Sequence, residues 1–259
     1  MPRARRSAPR ASRHDEDEEM EGLERFSAVT ENYLLCLYRL WEDSVTPTVT
    51  QLTDAIKQLP PTEGLGSSVP SVAGMTRRMQ KQGLVDIGTD KRIRLTGKGF
   101  EGGEDIARRH RLAEWLVVEL LGMELHRAYI EAHRLEHGIS GELEARLREK
   151  LGYPKKSPFG RPIPGFGDSA LAANCITLDA AVKDRGYVVE RIPEEDSNLL
   201  QFLDAAQIVP ESPVSVTEST PYLGVMTVST PKDQVSMGFT VAQQIVVRPA
   251  EEPEEPEEG

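Results

Sequence analysis

The segment SPFGRPIPGFG, residues 157–167, divides this chain. Its three prolines and three glycines in eleven positions stop both helix and strand, because proline lacks the amide hydrogen that either needs and glycine loses the most backbone freedom on ordering. Before it the sequence reads as helices with one short hairpin. After it come short β-rich pieces. At 259 residues the chain has room for two or three small bodies, and the change of texture predicts three.

Ala28 to Trp41 sets Leu34, Leu37, Tyr38 and Trp41 at steps of three and four, a helix with one buried face. Thr50 to Leu59 repeats the pattern with Leu52, Ile56 and Leu59, and PPTEGLGSS then reads as a loop. After Pro70, Val72, Met75 and Met79 mark a third helix, with Arg77 and Arg78 on its other side and Gly83 closing it. LVDIGTDKRIRLT alternates apolar and polar, turns at Gly88–Lys91 and alternates again, a hairpin with a basic return strand. Three short helices and a basic hairpin predict a winged helix-turn-helix over residues 25–97. In that arrangement the helix after the turn enters the major groove of double-stranded DNA and the wing lies along the phosphates. Ser71, Arg77 and Arg78 would face DNA from the recognition helix, and Lys91, Arg92 and Arg94 would hold phosphates from the wing. The competing reading is a structural subdomain whose charges are merely solvated.

A net charge of −11 argues at first against nucleic acid, since phosphate attraction supplies the sequence-independent part of such binding. The charge is unevenly placed. Residues 1–24, with five arginines and seven acids, and residues 249–259, with six glutamates, together carry −8 of it. Both tails lack periodicity and read as disordered. From Ser71 to Lys98, seven Lys and Arg stand against Asp86 and Asp90, leaving +5 on the predicted reading head.

Residues 98–156 predict three further helices: Thr96 to Gly122, Glu124 to Gly138, and Ser140 to Leu151 with Ser140 as cap. Their leucine-rich faces suit packing on one another and on a second copy of the chain, a homodimer. Beyond a Pro/Gly-rich linker (157–180), YVVERI, QIV, PVSV, LGVMTVS and QIVV suggest a small β-barrel over 181–248, with one or two helical turns around Asn198 to Ala205.

Four of the five histidines fall between 110 and 137, each beside a carboxylate at helical spacing. His110 and Glu114 are four residues apart; His133, Glu136 and His137 would converge on one side of a single helix. Imidazole and carboxylate so placed form a transition-metal site. The bland alternative, a solvated charged face, explains one such pair better than it explains five residues on two consecutive helices. HRLEH also matches the H-x-x-E-H signature of inverted zinc peptidases. That enzyme reading needs a further ligand and a substrate cleft, and it leaves the reading head without a purpose.

Taken in order, a winged helix, RHRLAEWLVVELLG, EAHRLEHGIS, SPFGRPIPG and a small β domain make residues 28–248 resemble the diphtheria-toxin-repressor family of iron- and manganese-dependent repressors. The resemblance implies a mainly α chain with a winged helix-turn-helix, a helical metal-binding dimerisation domain and an SH3-like β-barrel. It further implies an activating site of Asn32, His133, Glu136 and His137, and an ancillary site of His110, Glu114, Glu195 and Asn198. Familiar members carry Met or Asp at the place of Asn32 and Cys or Glu at that of His133, and Tyr129 stands where a second ancillary histidine is expected. Amide, imidazole and carboxylate donors make a hard site that suits Mn(II) or Fe(II). Cys36, one turn after Asn32, is either a substitute ligand or a small buried residue.

The expected protein is thus a metal-activated dimeric repressor of metal-homeostasis genes, with operator DNA as partner and no small organic substrate. A metal-independent winged-helix regulator, whose histidines only cap and pack, is the alternative. Two cysteines allow at most one disulfide, no run of about 18 apolar residues suggests a membrane span, and the basic start lacks a signal-like apolar stretch, so a cytoplasmic address is expected.

Overall fold

The first helix, α1 (Ala28–Glu42), is buried at every position from Thr30 to Arg39 in the computed structural model. The structure describes residues 26–60, 65–166 and 174–250; both charged tails and the centres of the 60–68 loop and of the 157–180 segment lie outside these, with the expectations made for them. The spacing predicts one buried face for α1. It is covered nearly all round because it lies between its own domain, the long fourth helix and a loop of the third domain. Trp41 is the exception, half exposed against Phe100.

The helix α2 (Val49–Ile56) begins in a capping box between Thr48 and Gln51 and stops one turn short of Leu59, which is nonetheless buried. Ser68 caps α3 (Val69–Lys81), and Gly83 takes the left-handed turn that ends it. The wing strands β1 (Val85–Ile87) and β2 (Ile93–Leu95) pair antiparallel, Val85 opposite Leu95.

Thr96 caps α4 (Gly97–Trp115), which runs into a π-helical turn at Leu116–Leu120. Gly102 and Gly103 let α1 close on it: a Cβ at Gly103 would meet the Tyr38 Cβ at 3.0 Å. Next come α5 (Leu125–Leu135), a 3-10 turn at Glu136–Gly138 and α6 (Gly141–Lys150), capped by Ser140. Residues 157–166 form no helix or strand. Even so, Ser157, Phe159 and Ile163 are buried, and the Ile192 amide donates to the Phe159 carbonyl. Gly160, at φ +92°, passes so close to the Glu190 carbonyl that no side chain fits there.

The third domain is a six-stranded antiparallel sheet of SH3-like kind in the order β3-β8-β4-β5-β6-β7: β3 (Ile176–Thr177), β4 (Gly186–Arg191), β5 (Pro213–Thr220), β6 (Val225–Ser229), β7 (Gln234–Gly238) and β8 (Val246–Pro249). The helix α7 (Ser197–Ala205) follows β4. The QIV piece at 207–209 is not a strand; Gln207 sits at φ +57° in the turn that ends α7. β3 lies inside the stretch read as linker, and β7 was not foreseen.

Candidate metal centre

Three elements bring polar side chains to one buried point. From the last turns of α4 come His110 and Glu114, one turn apart, with 3.0 Å between His110 Nε2 and a Glu114 oxygen. The other His110 nitrogen meets Glu136. At the end of α5 the backbone tightens from α to 3-10 after Leu135, yet His133, Glu136 and His137 still converge as their spacing predicts, with His137 Nε2 3.4 Å from the Glu136 carboxylate. His133 and Glu136 point inward, 3.2 Å apart; His137 is turned toward α1. There its Nδ1 lies 2.6 Å from Glu31 and its Nε2 3.0 Å from Asn32 Oδ1. Among the described residues, His110, His133 and Glu136 form a buried group whose ligand atoms all lie within 4.8 Å of one another.

The first helix of the chain, α1, therefore supplies Asn32 and Glu31 to the same cluster. Glu31 also accepts from Arg109 at 2.8 Å. Nothing in the sequence marked Glu31 beyond its place beside Asn32, because its partners are far along the chain.

Burial raises the Glu114 carboxyl above the ordinary range, opposed by His110. For Glu136 burial also pushes upward, but His110 and His133 outweigh it and hold the group at about 2. His110 is pulled up to about 10: burial lowers it, and the two carboxylates more than compensate. Both Glu114 oxygens, one Glu136 oxygen, His110 Nε2 and the Asn32 amide nitrogen have no aligned hydrogen-bond partner. Buried acceptors left so are costly unless something else occupies them. Cys36 is buried beside a cavity lined also by Arg39, Tyr129 and Glu195, its thiol pushed up to about 12 by burial.

Glu195 and Asn198 fall elsewhere. Glu195 pairs with Arg39 of α1, and Asn198 is exposed at the start of α7, its amide capped by Asp196. Arg39, fully enclosed, also meets Glu194 at 2.5 Å and donates to the Tyr129 hydroxyl at 2.8 Å. Neither Arg39 nor Glu194 was singled out from the sequence.

In the N-terminal domain, Ser71, Arg77 and Arg78, the residues expected to face DNA, are exposed on α3. On the wing, Lys91 is exposed at φ +60°, whereas Arg92 donates to the Thr46 carbonyl at 2.5 Å and Arg94 is paired with Asp90 at 2.6 Å. These two wing arginines already have partners within the fold.

Residues 96–165 match the family model of the iron dependent repressor, metal binding and dimerisation domain, and residues 176–249 match the FeoA domain. The iron-dependent repressor IdeR of Mycobacterium tuberculosis is 33% identical over 230 residues, 84% of this chain and 96% of that one. The diphtheria toxin repressor of Corynebacterium glutamicum is 36% identical over 189 residues, 69% of this chain and 79% of that one. A solved manganese-dependent transcriptional repressor in complex with manganese superposes with TM-score 0.72 at 27% identity, covering 85% of this chain and all of that one.

Proposed function

Because this chain belongs to the diphtheria-toxin-repressor family of metal-dependent transcriptional repressors, we propose that it is a homodimeric repressor that binds operator DNA when Mn(II) or Fe(II) occupies the buried cluster. One observation carries the reading: Asn32, on the first helix of the reading head, stands 3.0 Å from His137, whose neighbour Glu136 is packed among His110 and His133.

The donor chemistry fits such an ion. His133, Glu136, His137 and Asn32 would hold it, with His110 and Glu114 alongside, and none of them is a thiolate; an all-nitrogen-and-oxygen set suits Mn(II) or Fe(II). The buried Glu114 and Glu136 oxygens that lack an aligned hydrogen-bond partner support a positive charge at this point. Bound there, a divalent cation would supply that charge, and Asn32 from α1 with His133, Glu136 and His137 from the end of α5 would hold it between two domains. Asn32 anchors α1, Glu31 orients the His137 ring, and Arg109 secures Glu31. The position of α1 then sets how α3 is presented. An ion shifts that equilibrium only by its differential affinity for the DNA-competent arrangement.

Leu121 and Leu143, about half exposed on the domain matched as a dimerisation domain, support pairing with a second copy. Arg77 and Arg78 would contact DNA from α3 of each protomer; phosphate contacts position and base contacts specify. We assign no catalytic role to Glu136. Its carboxylate is fully enclosed, whereas a general base must reach water and substrate. Among the described residues no helix is long and apolar enough to cross a membrane, and a regulator of this kind would act in the cytoplasm beside the chromosome.

Gel retardation of promoter DNA with chelator, Mn(II) or Fe(II) tests the proposal. Metal-dependent retardation is expected, and Glu136→Gln should abolish the response. Equal binding under all conditions would leave a metal-independent winged-helix regulator; a peptidase activity lost in Glu136→Gln would favour the enzyme.

A further inference from the structure

Of the residues that would make an ancillary ion site, His110 and Glu114 stand together at 3.0 Å, but the third domain brings neither Glu195 nor Asn198 to them as a ligand. Glu195 is engaged by Arg39, Asn198 faces solvent, and Tyr129 gives its hydroxyl oxygen to Arg39 as acceptor. What occupies the junction is a guanidinium from α1. Arg39 contacts Glu194 at 2.5 Å, Glu195, and Tyr129 at 2.8 Å, so one side chain of the reading head bridges the helical domain and the third domain. Glu194 is shared at 3.1 Å with Arg161 from the 157–166 segment, which reaches back to Asp43 at the end of α1, also at 3.1 Å.

The buried Glu194 carboxylate needs compensating positive charge to remain ionised away from water, and the exposed Glu195 beside it adds a second negative charge. Arg39 carries the positive charge covalently. A guanidinium cannot give up its proton in a protein, so a second divalent ion bound to Glu195 would lie against a permanent like charge.

We propose that Arg39 takes the place of a second cation: it locks the third domain onto α1, so the chain takes up a single activating ion and its third domain stays docked whether or not that ion is bound. The single-ion part rests on the metal-activated function above; the docking part does not. The two are separated by measuring both on the full-length protein. Mn(II) titration followed by electron paramagnetic resonance should saturate at one ion per chain. Hydrogen exchange across β4 and α7 should be equally slow in chelator and in Mn(II). In R39Q that exchange should quicken on the order of 100-fold in chelator, since breaking a buried pair strands its charges. If R39Q does not fold, Tyr129→Phe and Glu195→Gln, each removing one Arg39 contact, should quicken it by a smaller factor. Two ions per chain, with the second lost in Glu195→Gln, would overturn the proposal, as would variants whose exchange matches the wild type. Absence of any bound ion would instead defeat the metal switch, leaving the exchange result to decide the role of Arg39.

Discussion

His137 Nδ1 stands 2.6 Å from the Glu31 carboxylate, a contact that spans 106 positions of the chain. It joins the first helix of the reading head to the turn that ends α5. Glu31 is itself held, its second oxygen 2.8 Å from Arg109, which donates from its other arm to the Glu136 carbonyl at 3.0 Å. A carboxylate on one imidazole nitrogen fixes the direction of the other; here Nε2 is aimed at Asn32.

Glu31→Gln should therefore weaken Mn(II) binding by about 10- to 100-fold, the usual effect of removing a partner that orients a metal ligand. The fold should survive, because Arg109 keeps Asp105 at 2.8 Å. Mn(II) titration with circular dichroism as a folding control measures this. Affinity equal to the wild type would place His137 outside the ion's ligands.

Cys36 gives a second prediction. Its thiol is buried and pushed up to about 12, so little of the reactive thiolate exists near neutral pH. Alkylation of the native protein at pH 8 should leave Cys36 unmodified, whether or not metal is present, and mass spectrometry of the digested product reads this directly. Rapid labelling of Cys36, blocked by Mn(II), would return it to the ligand set.

How much of this was legible in advance follows from the range of each interaction. His110 with Glu114, and His133 with Glu136 and His137, could be found because helical repeat places them together within one or two turns. The winged helix was legible for the same reason, through Val72, Met75 and Met79 and the alternation across Gly88–Lys91. Arg39 was not, because its partner Glu195 lies 156 positions away and no local period reports a long-range ion pair. The strands β3 and β7 escaped because one has two residues and the other, QVSMG, has only two strongly apolar side chains. The π-helical turn after Trp115 and the 3-10 turn at Glu136 were hidden too, since both keep a near-helical spacing while redirecting side chains.

Glu194 provides a test by pH. Burial pushes its carboxyl upward, but Arg39 and Arg161 outweigh that and hold it down to about 2, below the ordinary 4.5. A group depressed on folding stabilises the native state fully above its unfolded value, and that contribution is lost as pH falls through the folded value. The docked third domain should thus lose stability between about pH 4.5 and 2. R39Q removes a charge that depresses Glu194, so the variant should start less stable and lose less over the same interval. Acid titration followed by hydrogen exchange at α7 measures both slopes; identical slopes would mean that Arg39 does not set the charge state of Glu194.

The arginines of the N-terminal domain differ in what already holds them. Arg77 and Arg78 are exposed on α3 and available to DNA, whereas Arg94 already faces Asp90 at 2.6 Å and 3.2 Å. Each phosphate contact releases counterions, so removing one lowers the slope of log affinity against log salt by about 1. Arg77→Ala and Arg78→Ala should each weaken binding to promoter DNA in the presence of Mn(II) and, for a phosphate contact, reduce that slope by about 1. Arg94→Ala should change it less, because the side chain removed was largely neutralised by Asp90. Asp90→Ala should then strengthen binding by freeing Arg94, with a steeper salt slope. Fluorescence anisotropy over a range of salt concentrations gives all four values, and a larger loss in Arg94→Ala than in Arg77→Ala would make the wing, and not α3, the main electrostatic contact.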